Sequence, residues 1–371
     1  MGPKISTITA LVLLSIAAPV AARSTSQFRQ FFPAWNGYLL DIIDKECKEQ
    51  RDKYFDPSNG ERMLSYNLAD CLLGGMEEFR KTEMGITAVI LGLLPTMLQT
   101  FGPTVAEVSV LASRRPLLAL FLGIAMPSVS TGGPLANPAE SLRRAIDFRI
   151  RSLVLPQARW SWLLISAAQY LIAAAAAANV FHQVYQLAYL SISVSAIAVD
   201  SGSISETYTP FLWLMLLVPV HLLGFWRLKL RYRPSKEAGD EKLTERKSWI
   251  QGFKSEFVPC ALGNPLLLTK VDKGLLSIVV QFFMEIASAV VFIFSTVALS
   301  SQIFISLGDV VPIIVRFLIG TLVCRAILLF ELHGLREVTS QPQKKDAKHS
   351  GYESVCGLDG KGISSEPELT P

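Results

Sequence analysis

Charge is scarce in this chain, and it is bunched. Asp, Glu, Lys and Arg make up 18% of 371 residues, against 50% hydrophobic residues, and Trp160 to Trp226 holds neither Lys nor Arg. Mean hydropathy is +0.38, high for a soluble protein. The net charge is only +4, without a basic domain interleaved with aromatics, which argues against nucleic-acid binding. The four histidines, His182, His221, His333 and His349, are too scattered for a metal cluster. His-Glu-X-X-His, Gly-X-Ser-X-Gly and Walker patterns are all missing; Gly357-Leu358-Asp359-Gly360-Lys361 is the nearest miss. The expectation is a non-enzyme with no cofactor.

What remains is apolar sequence in blocks. Residues 1–22 carry Lys4, an apolar run and Val20-Ala21-Ala22, the layout of a signal peptide cut after Ala22. The mature N-terminus would then begin on the lumenal or extracellular side. Residues 23–83 form the one sizeable soluble segment before the membrane. Leu39, Ile42, Ile43 and Cys47 recur at helical spacing, as do Leu64, Leu68, Cys71, Leu72, Met76 and Phe79. Asp56-Pro57-Ser58-Asn59-Gly60 marks a turn between them, so a helical hairpin is expected. Cys47 and Cys71 sit on its two apolar faces and should pair in an oxidising compartment. Asp41 and Asp44 fall on the polar face and read as solvated charges. The segment carries no glycosylation sequon.

Hydropathy predicts an all-α polytopic bundle of five spans, near 84–101, 160–180, 208–226, 275–299 and 306–330. Residues 116–129 are apolar for only 14 residues, about 21 Å of helix, and read as re-entrant or interfacial. The poly-alanine run Ala173–Ala178 suits close helix packing. Residues 179–206 are expected as an outside loop, and the tail 336–371 as a disordered cytoplasmic segment. Segments 102–159, 227–273 and the tail after Phe330 hold 7, 11 and 5 Lys/Arg. Five spans with the N-terminus outside put all of these in the cytoplasm; a seven-span alternative strands several arginines outside. The bilayer is the one partner the sequence implies, in the secretory pathway, the plasma membrane or an endomembrane. The run Arg227, Lys229, Arg231, Arg233 serves as a stop-transfer anchor and could attract anionic lipid. Cys260, near the fourth span, is a candidate for palmitoylation.

Ionisable groups inside spans are the candidate functional residues, because a central charge costs about 2.5–3.5 kcal/mol on insertion scales. Glu285 and Arg316 lie about 15 and 21 Å from the inner ends of their expected helices, so they are expected to form an intramembrane ion pair. Arg325 lies nearer the inner end and can snorkel.

The segments CLLGGMEEFRKTEMGITAVILGLLPTMLQTFGPTVAEVSVLASRRPLLAL (71–120), FLWLMLLVPVHLLGFWRLKLR (211–231) and RFLIGTLVCRAILLFELHGLR (316–336) resemble an uncharacterised family of fungal multi-span integral membrane proteins. The resemblance implies a shared topology and transfers no catalytic residue. Some members of such families sit beside secondary-metabolite genes, which implies an accessory role in a pathway, with a small-molecule transporter or channel as the alternative. Topology is testable directly. Sequons engineered near Ser201 should be glycosylated and those near Gly239 should not; the reverse pattern would refute the five-span arrangement.

Overall fold

The computed structural model describes residues 27–56, 64–130, 159–193, 209–234, 256–260, 268–270 and 274–340. The expected signal peptide, most of the Asp56–Gly60 turn and nearly all of the tail lie outside them. So do residues 194–208 and 235–255, which belong to the two segments expected to decide sidedness. The protein is an all-α polytopic membrane bundle. Five helices are long and apolar enough to cross a bilayer: α4 (Glu78–Phe101), α7 (Arg159–Leu190), α8 (Thr209–Arg231), α9 (Leu275–Ser300) and α10 (Leu307–Ser340).

The N-terminal domain expected as the ectodomain, and called so below, precedes them as α1 (Asn36–Lys45), α2 (Lys48–Phe55) and α3 (Leu64–Gly75). The first arm of the expected hairpin is therefore broken in two, with Cys47 as the N-cap of α2. Its helix α2 is almost wholly polar and buries only Tyr54. Cys47 and Cys71 form a disulfide across α1–α2 and α3. Phe28, Phe31, Trp35, Leu39, Ile43 and Leu68 fill the core around it.

The first span begins earlier than hydropathy suggests. Helix α4 starts at Glu78, three residues after α3 ends, and Glu77 N–H donates to the Tyr38 hydroxyl of α1 at 3.1 Å. Arg80 lies over the Tyr38 ring at 4.3 Å. The second span also runs on past its expected end near 180, through His182 to Leu190. No proline or glycine interrupts that stretch, and its Val184, Leu187 and Ala188 are buried. The fifth span continues to Ser340, past the expected end at 330.

The five spans close into a ring: α4 on α10, α10 on α7, α7 on α8, α8 on α9, and α9 back on α4. Leu91, Leu98, Val184, Trp213, Met284 and Phe317 meet in its centre. Helices α5 (Val105–Ala112) and α6 (Pro116–Ala125) form a hairpin against α7, α8 and α10. Its two ends meet, with Val105 N–H donating to Ser130 O at 2.9 Å. Hence residues 116–129 return to the depth they came from. A Cβ on Gly224 of α8 would collide with Val105, so glycine is what lets α5 approach this closely.

Two short ribbons complete the fold. β1 (Ile192–Ser193) pairs with β4 (Gln302–Ile303) at the ectodomain end, and β2 (Tyr232–Pro234) pairs with β3 (Leu268–Lys270). The disulfide spans 24 positions and should contribute roughly 3.5 kcal/mol through loop-closure entropy. Cys71→Ser should therefore raise amide exchange across α1–α3. Unchanged exchange there would mean that the bridge is mechanically idle.

Candidate functional site

Glu285 and Arg316 are the pair expected from depth along adjacent spans, and the structure does not bring these two together. Glu285 accepts from Gln281 Nε2 at 3.0 Å, and Arg227 of α8 donates to Gln281 Oε1 at 3.1 Å. Arg316 is exposed on α10. The reason is register. Glu83 caps Leu307 N–H, whereas Gly92 faces Ser300, nine residues further down α4. Residues 301–306 therefore climb about 14 Å between the end of α9 and the start of α10. That puts Ser300 level with Arg316 and leaves Glu285 about 22 Å further along the axis. Helix α4 also packs against both α9 and α10, so these sequence neighbours do not share a seam.

Buried charge collects at the end of the bundle opposite the ectodomain. Arg115 is the centre, 1% exposed, held where the α5–α6 hairpin turns. Its Nη1 reaches Glu331 Oε1 of α10 at 2.8 Å and Gln169 Oε1 of α7 at 2.7 Å. Its Nη2 donates to Ser166 Oγ at 2.6 Å, and its Nε to the backbone oxygen of Glu256 at 2.9 Å. The Tyr170 ring lies 5.2 Å from the guanidinium. Gln169 Nε2 adds a bond to Glu331 Oε1 at 2.7 Å, and Glu331 Oε2 accepts from Cys260 N–H at 2.9 Å. The carboxylate of Glu256 completes the cluster. It accepts from Leu117 N–H and Tyr170 OH, both at 2.8 Å, and so caps the N-terminus of α6 from a distant part of the chain.

A second pair stands nearby. Arg325 of α10 grips Glu107 of α5 with two contacts, at 2.5 and 3.0 Å, so it does not simply snorkel. Glu107 also closes a capping box with Thr104. Residues 126–130, just beyond α6, are non-helical, and a carbonyl there is satisfied from inside the bundle. Val129 O accepts from Gln99 Nε2 at 3.0 Å and Ser288 Oγ at 3.4 Å. Sequence reasoning misses this site, although faint signals exist: Arg115 directly precedes Pro116, and Glu331 follows the apolar run of the last span.

Chemically the cluster holds charge in place. Burial, reinforced by the neighbouring Glu331 carboxylate, pushes the Cys260 thiol up. It stays a thiol at neutral pH and is a poor nucleophile. At 4% exposure Cys260 is also withheld from palmitoylation. Among the described residues no group of three His, Cys, Asp or Glu side chains is placed to hold a metal. Cys47 and Cys71 are joined at the opposite end of the bundle, outside this site.

The fold and site together define a polytopic helical membrane protein with a disulfide-bonded N-terminal helical domain and a buried ion network at its far end. No family model, curated protein or solved structure is found to match the chain. Glu331→Gln would strand Arg115 partly unpaired in a buried site and should cost about 3–5 kcal/mol, read as a lower melting temperature in detergent. Replacing Arg115 and Glu331 together by Met and Leu should recover part of that loss. A Glu331→Gln protein that melts like the native one would show the pair to be idle.

Proposed function

We propose that this chain is a non-enzymatic membrane protein, a sensor, scaffold or accessory component of a fungal pathway, in which the ectodomain acts on the bundle as one body. One observation carries the reading: the ectodomain and the span ends share a single hydrophobic core. Phe304, in the link between α9 and α10, is 0% exposed and sits 5.9 Å from the Phe31 ring. Its backbone is left-handed, φ 65°, a conformation that costs a non-glycine residue about 1–2 kcal/mol and persists because burial holds it. Ile192 joins the same core from the end of α7, and Gln27 donates to Ala188 O at 3.4 Å. A displacement of the ectodomain must therefore move the ends of α4, α7 and α10. At the far end, Arg115 ties α7 and α10 to the segment around Glu256.

A small-molecule transporter is the second reading. Buried charges within the bundle and the non-helical residues 126–130 after α6 favour it, since transporters build sites from broken helices. Metabolite profiling of a deletion strain separates the two: accumulation inside the cell favours export, and an altered product profile favours the accessory role. Phe304→Ala uncouples the ectodomain without touching the far-end charges. On the accessory reading it should raise amide exchange in α1–α3 and at the start of α10, and reproduce the deletion phenotype at normal protein levels. A normal phenotype despite raised exchange would refute coupling as the working principle.

A further inference from the structure

Arg316 is the anomaly left over once the buried charges are paired. It lies nine residues below Leu307, about 14 Å into the bundle from the ectodomain end. It is exposed, and its neighbours on that face, Val315 and Ile319, are 45% and 57% exposed, so the side chain points at lipid. Among the described residues no carboxylate reaches its guanidinium; its backbone oxygen accepts from Asn179 Nδ2 of α7 at 3.4 Å. An arginine and an asparagine thus stand side by side at mid-depth, on the outer seam between α7 and α10. Ala175, one turn from Asn179, is exposed as well and leaves room for a close backbone approach.

We propose that this seam is a docking surface for a transmembrane helix of another protein that carries a carboxylate at mid-depth. Charge complementarity fixes the chemistry, because a lipid-facing cation at that depth is satisfied by an acid brought to it. A second copy inserted in parallel does not supply that acid from the described residues. Glu107 is engaged by Arg325, and Glu331 is buried with Arg115. Glu285 lies about 22 Å deeper, while Asp309 lies about 11 Å shallower and is bonded to Ser306. The surface deepens the scaffold reading and rests on it for its biological meaning.

The test uses the full-length protein in phosphatidylcholine vesicles with acceptor-labelled Leu/Ala peptides of about 24 residues, carrying a central Glu, Gln or Leu. Energy transfer from the labelled protein should report roughly ten-fold tighter association with the Glu peptide than with the Leu peptide. Arg316→Gln should abolish that preference while leaving the melting temperature unchanged, because the guanidinium supports nothing among the described residues. Equal binding of all peptides, or a preference that survives Arg316→Gln, overturns the proposal. Arg316-dependent transfer between two labelled copies without peptide assigns the face to self-association and also overturns it. Loss of the preference on adding phosphatidylserine assigns the face to lipid headgroups and overturns it too. None of these outcomes depends on the Phe304 variant, so docking and ectodomain coupling stand or fall separately.

Discussion

Arg115 is the point at which separate parts of the chain are tied together. A guanidinium buried to 1% exposure is tolerable only if its donors are met, and here they are met from α7, α10 and the segment near Glu256. Each of those partners lies 51 or more residues away in sequence, so the contact forms only when the bundle end has closed. The α5–α6 hairpin follows from it. With Arg115 anchored at the turn and Glu256 capping α6, two helices too short to span are held against α7, α8 and α10. The same logic places Glu107 and Arg325 opposite each other.

The two ends of the molecule solve different problems. The ectodomain is small, and it gains stability from a disulfide and from apolar side chains lent by the span ends, Ile192 and Phe304. The opposite end has no such cap among the described residues and is held by ions and hydrogen bonds. Long helices, about 36 Å from Leu307 to Glu331, join the two, and five of them share one core. Movement at one end is therefore constrained by packing along the whole length.

Cost explains where the charges went. Four ionised groups, Arg115, Glu331, Arg325 and Glu107, are withdrawn from lipid into pairs. Glu285 is half-buried and shares a hydrogen-bond chain with Gln281 and Arg227 between α8 and α9. Arg316 alone combines mid-depth, exposure and the lack of a carboxylate partner among the described residues.

Much of this architecture was legible in the sequence, for local reasons. Apolar runs of 18 or more residues disclose spans whatever their neighbours, and the five spans followed from them. Cys47 and Cys71 could be matched because each lies on the apolar face of its own segment. Helix ends were less legible, since propensity does not mark where α7 or α10 leaves the membrane. Charge partners were decided by tertiary structure alone. The link 301–306 climbs toward the ectodomain instead of turning at once, and α4 packs between α9 and α10. A pairing inferred from depth along adjacent helices therefore fails for Glu285 and Arg316. Arg115 and Glu331 lie 216 positions apart, and what joins them is a hairpin packed against α7, α8 and α10, a geometry that no local pattern encodes.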